Sequence, residues 1–530
     1  MKPSLITKLR SSIARLIAPP SAGAPRGGYR MYASAKASRL REGFGSSGNS
    51  SADAEIQASL RAMRAKSREV IRDAGYAKRA KTVVVSNVIG SGIGMQAQVK
   101  TSRGDLSRRT NTDIEEGFES WSEVGNCHTG GRLHFSAMEQ FLMGQVFEAG
   151  EVFVRKHYRK FGNSDVPFAL EPIEAERVVD ELQPAPLDPS ARVRMGVELD
   201  AFHRPLAYWI RTLHPGDTRF AAGDIDRIER VPADQIIHLG IIDRWPQTRC
   251  VPWLHTAIGK VYDMDGYTEA EIVRARNDAN RIGALKTPRE YGAEMKDESG
   301  KLIAREITSE AGSYEILYED EEMQFPNPGS PNPSADPFLR FLLREIAAGT
   351  GVSYESLSRD YSQSNYSSSR LSLLDDRDLW RIFQMWFLRA FRLPVHRNWL
   401  QQAVLSRALV TIPVEQYALD PRKFEKVRFK PRGWSWVDPA KEVDAYKEAI
   451  KAGLITRTDV IAQTANGRDR EDIDEERKQE LDESKALGLK FDTDPEFLKS
   501  GQDKPGRPVE EGKEDDEGGK KNANSNGKEY

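Results

Sequence analysis

From Pro252 to Lys286 the chain runs without a second proline, and Trp253, Ala257, Val261, Met264, Ile272, Ala275, Ala279 and Ile282 recur at helical spacing. Proline suits the first helical turn, where its missing N–H costs nothing. About 35 residues at 1.5 Å rise would span roughly 50 Å, far beyond a mean helix. Gly266 is expected to divide this run in two. A second apolar helix follows after an interruption. Asp336-Pro337 caps Phe338, Leu339, Phe341, Leu342, Leu343 and Ile346, and Gly349 and Gly351 stop it. Between the two, residues 287–333 are turn-rich, with short strand-like pieces at Leu302–Ile307 and Tyr314–Tyr318 and a stiff Pro-rich end at Pro326–Pro333. Any fold must therefore accommodate two long helices around a small mixed insertion.

What precedes reads as an α+β region of about 150 to 200 residues. Asp53 to Ala80 has helical periodicity, with Asp53 as N-cap. Val83-Val84-Val85 predicts a strand that reaches the Gly90-Ser91-Gly92-Ile93-Gly94 turn, and Met95, Ala97 and Val99 alternate beyond it. Helices are predicted over Glu115–Trp121 and Phe135–Phe147. Strands are predicted at Val152–Val154, Phe168–Leu170, Val197–Leu199, Leu206–Ile210 and Ile236–Leu239. After the second long helix come a polar loop, Tyr354–Tyr366, and a third helix from about Ser367 that Pro394 should end. Helix resumes around Trp399 and Val404, then at Pro439–Ala452 and Arg457–Leu489.

Net charge is −2, but its distribution is uneven. Residues 1–110 carry 21 basic and 6 acidic groups (+15), and residues 466–530 carry 13 and 20 (−7), which leaves −10 for the middle. A basic head suits an acidic partner such as nucleic acid, while the near-neutral total argues against a tight DNA clamp. Pro19–Ser51 reads as a mobile arm and the tail after Lys499 as disordered, because neither offers enough apolar area to offset ordering entropy. Two cysteines, Cys127 and Cys250, give no disulfide framework and point to a reducing compartment. The amphipathic start, with Ile6, Leu9, Ile13, Leu16 and Ile17 on one face among basic residues, makes a poor signal peptide. The longest uncharged stretch, Thr82–Val99, holds three glycines and several polar residues and makes a poor membrane span. Intracellular synthesis as a soluble protein is the expectation.

Catalytic patterns are missing from the sequence. A phosphate-binding loop needs Gly-x-x-x-x-Gly-Lys-Ser/Thr, and no such string occurs. The Gly90–Gly94 run lacks dinucleotide spacing and reads as a β-turn. There is no His-Glu-x-x-His, no cysteine pair at metal spacing and no Gly-x-Ser-x-Gly elbow. Cys127 and His128 are neighbours whose side chains should diverge. His238 reads as a packed core histidine, and Glu171/Glu174 and Asp375/Asp376 as solvated carboxylates. The sequence thus assigns no catalytic residue, metal ligand or cofactor.

The unusual segment is Leu357-Ser358-Arg359-Asp360-Tyr361-Ser362-Gln363-Ser364-Asn365-Tyr366-Ser367-Ser368-Ser369-Arg370, dense in hydroxyls between two apolar helices. One reading is a solvated connection whose last serines cap the next helix. The other is a surface that touches a polyanion weakly and without sequence preference, through Ser362, Gln363, Ser364, Asn365, Ser367 and Ser368. Hydroxyls and amides can bond phosphate oxygens without the strong attachment of a lysine cluster.

Gly351-Val352-Ser353-Tyr354-Glu355-Ser356-Leu357-Ser358, then Asp360-Tyr361-Ser362 and Asn365–Arg370, resembles the signature of lambda-type phage portal proteins. So, in order, do Asn87-Val88-Ile89-Gly90, Gly150-Glu151, Val231-Pro232-Ala233 with Ile237-His238, and Trp436–Glu442. The resemblance spans roughly residues 30–490. It implies a phage portal fold of the α+β class, with an α/β wing, a two-helix stem, a small mixed clip and a helical C-terminal crown. On this chain that means a flexible basic arm at 1–50, wing at 51–250, first stem helix region at 251–286 and clip at 287–335. The second stem helix follows at 336–353, the tunnel loop at 354–368, a wing/tunnel helix region at 369–435, the crown at 436–498 and a charged tail at 499–530.

The resemblance further implies a homo-oligomeric ring, usually of twelve copies, at one capsid vertex of the virion. Duplex DNA would pass through it non-specifically. A terminase packaging motor, capsid or scaffold proteins and head–tail connector proteins would be its partners, assembly would occur in the host cytoplasm, and no membrane is involved. Two departures stand out: Arg249-Cys250-Val251-Pro252 where relatives carry Arg-Gly-Val-Pro, and Tyr318-Glu319-Asp320-Glu321-Glu322 where they carry a Pro-Gly-Glu turn. The second makes the clip more acidic. A DNA-processing enzyme, such as a nuclease or packaging ATPase, and a shell or adaptor protein that does not contact DNA are the competing classes.

Overall fold

The computed structural model describes residues 50–181, 186, 189–217, 227–280, 284–286, 322–324, 332–363, 365–434, 439–464, 470–489 and 491. The N-terminal arm up to residue 49, most of the 287–335 insertion with both its expected inner strands, and the tail from 499 lie outside the described residues. In chain order the elements are α1 (Ala52–Asp73), α2 (Gly75–Val88), β1 (Gly94–Ala97), α3 (Arg108–Ser122), α4 (Phe135–Ala149), β2 (Glu151–His157), β3 (Ala169–Ile173), β4 (Arg192–Arg194), β5 (Val197–Leu199), β6 (Pro205–Arg211), β7 (Ile228–Pro232) and β8 (Ile236–Gly240). They continue with α5 (Ile258–Asn280), β9 (Ala284–Lys286), β10 (Glu322–Gln324), α6 (Ala335–Thr350), α7 (Tyr354–Ser358), α8 (Tyr366–Phe387), α9 (Leu393–Leu405), α10 (Val414–Leu419), α11 (Pro421–Phe424), β11 (Val427–Lys430), α12 (Pro439–Lys451), α13 (Arg457–Thr464) and α14 (Arg470–Ala486). No described helix is long and apolar enough to cross a membrane.

The chain divides into two compact units. The first comprises Met1–Thr82, Leu142–His157 and Leu170–Asp360. It holds a three-stranded sheet of order β3-β2-β8 and a four-stranded meander, β4-β5-β6-β7. Strand β2 pairs antiparallel with β8, so that Phe153 faces His238 and Glu151 faces Gly240. Phe153, Ile173, Val197, Tyr208, Ile210, Val231 and Ile236 form the main core, and α1 adds Ile56 and Leu60 against Met195. Helices α5 and α6 lie side by side, joined by Lys260–Glu345 at 3.1 Å and an edge contact of Tyr267 on Phe338. Helix α6 buries Leu342, Leu343, Ile346, Ala347 and Thr350, a stripe at three- and four-residue spacing. It ends where Gly351 turns left-handed at φ 65°.

The second unit comprises Val83–Phe141, Tyr158–Ala169 and Tyr361–Tyr530. Its core is aromatic: Phe118, Trp121, Phe135, Phe168, Phe387, Phe391 and Trp399 are buried. The Trp121 indole N–H donates to the Phe168 carbonyl at 2.6 Å, as a buried indole must find a partner. Strands β1 and β11 pair antiparallel across more than 300 residues of sequence, Gly94 opposite Lys430 and Ala97 opposite Val427.

Several expectations are corrected. Val83–Val85 are helical: Ala77, Ala80, Val84 and Val88 are buried at helical spacing, so the apolar run is the inner face of α2. The glycine turn thus follows a helix. Asp53 does not cap α1; Ser51 does, accepting from the Ala54 N–H at 3.3 Å. Asp53 is buried against Arg194 (2.8 Å) and the Thr248 N–H (2.7 Å). Helix α5 continues through Gly266, whose surroundings are open space. Pro394 does not end the third helix. Residues 388–392 form a π turn that leads directly into α9. Proline cannot donate to the carbonyl four residues back and its ring crowds that carbonyl; the wider turn resolves both. The sequence reading also missed β11.

Candidate nucleic-acid interface

The hydroxyl-rich segment begins as ordered structure. Ser353 caps α7, accepting from the Ser356 N–H, and Leu357 is buried beneath it. Arg359 closes the turn at φ 58°. The Tyr354 hydroxyl donates to Asp360 at 2.8 Å, Arg340 from α6 reaches Asp360 at 3.7 Å, and Arg344 lies 5.5 Å over the Tyr354 ring. Tyr354 and Asp360 are thus held against α6 before the exposed part of the loop begins. Burial and the hydrogen bond to Asp360 push the Tyr354 phenol above its ordinary pKa.

The six expected contact residues divide into three groups. Ser362 and Gln363 are exposed. Asn365 and Ser368 form a capping box on α8: Asn365 accepts from the Ser368 N–H at 2.8 Å, and the Ser368 hydroxyl meets the Asn365 N–H at 3.1 Å. Their polar groups close the helix end, with Asn365 rather than one of the last serines as the N-cap. Ser364 and the Ser367 side chain lie outside the described residues. No lysine occurs between 354 and 370.

Two buried ionic clusters escaped the sequence reading. In the first unit, Glu151 is wholly buried and accepts from Arg249 Nε at 2.5 Å, from the Cys250 N–H at 2.8 Å, and from Arg64; His238 Nε2 also lies 2.8 Å away. Burial pushes the carboxyl up, but Arg249 and Arg64 outweigh it and hold the group far below its ordinary value. Glu151, His238 and Cys250 stand close enough to ligate a metal, yet the carboxylate already serves two guanidiniums. Gly150 makes this approach possible: at φ 87°, a Cβ there would lie 2.2 Å from the Val251 carbonyl carbon. Cys250 fits because position 240 is glycine; a Cβ there would stand 2.5 Å from the Cys250 sulfur. The signal for the cluster was a glutamate heading an otherwise apolar strand, Gly150-Glu151-Val152-Phe153-Val154.

In the second unit the π turn delivers Arg392 into a box of Phe118, Phe135 and Phe429, at 5.2, 4.8 and 5.6 Å. Arg392 Nη2 donates to the Ile93 carbonyl and Nε lies 3.4 Å from Glu139, itself wholly buried. Burial raises the Glu139 carboxyl to about 7 despite Arg392 and the Ile93 N–H. Both line a cleft of about 410 Å³ with Gly92, Glu119 and His134. Nothing in the local sequence around Arg392 announces its burial; the π turn has no simple sequence mark.

Cys250, whose sulfur lies within 4.8 Å of donor atoms of Glu151 and His238, is pushed up by desolvation and the Glu151 charge. Cys127 is buried too, and desolvation pushes its thiol up to about 12. Comparison with known proteins places the whole arrangement. A family described as Phage portal protein, lambda family, matches residues 38–384. The chain is 30% identical over 471 residues to the "Probable portal protein" of Halomonas phage phiHAP-1, covering 87% of this chain and 88% of that one. It is 32% identical over 163 residues to "Portal protein B" of Escherichia phage lambda, covering 29% of each chain. A solved chain from the "Neck of native GTA particle computed with C12 symmetry" aligns over 77% of this chain and 93% of its own, with TM-score 0.42 and 13% identity. With the family matched through most of the chain and a relative matched nearly end to end, this protein belongs to the lambda family of phage portal proteins.

Proposed function

We propose that the chain is one subunit of a closed, twelve-membered ring at one capsid vertex, through which double-stranded DNA is packaged and later ejected. The observation that carries this reading is the match along 471 residues to a phage portal relative. The work would come from a separate terminase motor docked on the clip, residues 287–335, with head–tail connector and capsid proteins as the other partners. The chain itself supplies the passage and no catalysis. A ring closed head to tail needs two different, mutually complementary faces on each subunit.

Residues 354–368 are proposed to face the channel. The supporting features are the anchoring of Tyr354 and Asp360 on α6, the exposure of Ser362 and Gln363, and the lack of lysine. Each hydroxyl–phosphate contact exchanges with water, so its net gain is about 0.5–1.5 kcal/mol or less, weak enough to let a polymer slide. Lysines would add counterion release and steep salt dependence.

Electron micrographs of the purified protein test the ring, which should show a central hole wide enough for a duplex; a monomer at every concentration overturns it. A packaging and plating assay tests the loop. Ser362→Lys with Gln363→Lys should slow packaging or ejection more than the paired alanine changes do, with ring assembly intact. Unchanged rates for the lysine pair would return the loop to a plain connector.

A further inference from the structure

Strands β1 and β11 form a two-stranded ribbon whose faces differ in kind. Alternate residues of a strand point to opposite sides. Ala97, opposite Val427, is buried, and Phe429, opposite Met95, meets Arg392 and His396. The other face therefore carries Gln96 opposite Arg428 and Gly94 opposite Lys430. The pairing continues through the Gln98 N–H, which donates to the Lys426 carbonyl at 2.8 Å and brings Lys426 and Lys100 into the same alternation. Four cations and no carboxylate stand on this face of the two strands. Lys100 opens a turn that holds Arg103 and Asp105 and returns through the Ser107 N–H to the Val99 carbonyl at 2.8 Å. Lys100, Arg103 and Lys426 are exposed and form no ion pair among the described residues.

Carboxylates that do reach this surface come from the last described helices. Glu475 of α14 lies 2.9 Å from Arg108, which follows the turn at the start of α3. Hydrogen bonds from Thr456 and, less strongly, the charge of Arg428 hold the Asp459 carboxyl of α13 below its ordinary value. Helix α14 ends at Ala486, about 17 Å along its axis from Glu475. Beyond Phe491, the last described residue, the sequence Glu510-Glu511-Gly512-Lys513-Glu514-Asp515-Asp516-Glu517 holds six carboxylates and one lysine. The stretch from Phe491 to Glu510 can reach up to about 65 Å, far more than a return along α14 requires.

We propose that this acidic segment, Glu510–Glu517, seats on the outer face of the β1–β11 ribbon against Lys100, Lys426, Arg428 and Lys430, and withholds that face from nucleic acid. Single exposed ion pairs are weak and screened by salt, but six carboxylates facing four cations act together. The tether favours this occupant over a free polyanion, because an attached segment acts at an effective concentration of about millimolar. The contact does not rest on the ring reading.

The test treats the full-length protein with a carbodiimide, which joins a carboxylate to a lysine only where they touch, and identifies the products by mass spectrometry. Carboxylates of Glu510–Glu517 should couple to Lys100, Lys426 and Lys430 at least tenfold more than to Lys66 and Lys78, which are exposed in the first unit. Added salt should abolish the preference. Lys100→Gln with Lys426→Gln should lower coupling at the unchanged Lys430 at least fivefold. A tail variant with Glu510→Gln, Glu511→Gln, Glu514→Gln, Asp515→Asn, Asp516→Asn and Glu517→Gln should bind a fluorescent duplex at least tenfold more tightly at low salt than the unmodified protein. Adding Lys100→Gln and Lys426→Gln should reverse that gain, whereas adding Lys66→Gln and Lys78→Gln, an equal loss of charge, should not. Melting temperatures establish that each variant folds, and the coupling pattern of the unmodified protein needs no variant. Coupling spread evenly over exposed lysines overturns the proposal, as does a gain that both lysine pairs cancel alike. Duplex binding by the unmodified protein as tight as by the tail variant would make nucleic acid the occupant, and overturns it too.

Discussion

Arg249 Nε lies 2.5 Å from Glu151 Oε1, and both side chains are wholly removed from solvent. Since Glu151 also holds Arg64, one carboxylate serves two buried cations and ties α1, β2 and the segment before α5 together. Replacing Glu151 by Gln removes the buried carboxylate that both guanidiniums share. The expected cost is about 3–5 kcal/mol, measured by denaturant unfolding of the first unit's signal. The double change of Arg64 and Arg249 to Met beside Glu151→Gln should recover part of the loss.

The same carboxyl sets a pH dependence. Its folded pKa is depressed below the ordinary 4.5, so its contribution is fully present above that value and is lost as pH falls below it. Thermal melts taken downward from pH 5 should show a steep loss that Glu151→Gln lacks.

Glu139 behaves oppositely. Its folded pKa is raised from 4.5 to about 7, so its contribution is complete below pH 4.5 and is lost as pH rises toward 7. The span amounts to about 3 kcal/mol at most. His396, buried among Phe118, Trp399 and Phe429 and lowered by desolvation from 6.5 to about 3, loses stability as pH falls from 6.5 toward 3. Glu139→Gln should flatten the second unit's melting temperature between pH 5 and pH 7, and His396→Phe should protect it in acid. Profiles unchanged by either variant would contradict these assignments.

Asn365→Ala should cost about 1 kcal/mol, the usual value for a lost N-cap, without changing the salt dependence of DNA passage. Ser362→Ala leaves the Asn365–Ser368 capping box in place. Comparing the two in melts and in packaging separates capping from channel contact within one short loop.

Gly150→Ala should fail to accumulate as folded protein, because its φ of 87° and the Val251 backbone at 2.2 Å exclude a Cβ. Gly266→Ala, in open space within α5, should raise helix stability by up to about 1 kcal/mol. Soluble expression and melting temperature report both.

The long amphipathic runs were legible from the chain alone. Helix α6, with Leu342, Leu343 and Ile346 on one face and Gly351 as its stop, matches its periodicity closely, and the strand at Val197–Leu199 was read to the residue. Short apolar runs misled: Val83–Val85 has strand propensity, and only the burial of Ala77, Ala80 and Val88 decides for helix. Strand β11 escaped because its partner β1 is more than 300 residues away and neither strand is long enough to declare itself. At the candidate interface the sequence singled out the segment, but not that Asn365 and Ser368 are spent on each other. Arg392 and Glu139 were illegible because their pairing depends on a non-standard helical turn.

That turn makes the long segment from Tyr366 to Leu405 sensitive to residue count in an unusual way. A π turn accommodates one residue more than a regular turn, so it works as a phase adjuster between the two halves of one rod. Removing a single residue from Leu388–Arg392 would restore ordinary winding and leave the helix beyond it in nearly the same phase, whereas removing one from the regular turns before it would swing everything beyond by about 100°. The latter change would take Trp399 and Ala403 off the core face. Single-residue losses among relatives should therefore be tolerated within Leu388–Arg392 and purged from the regular turns of the rod.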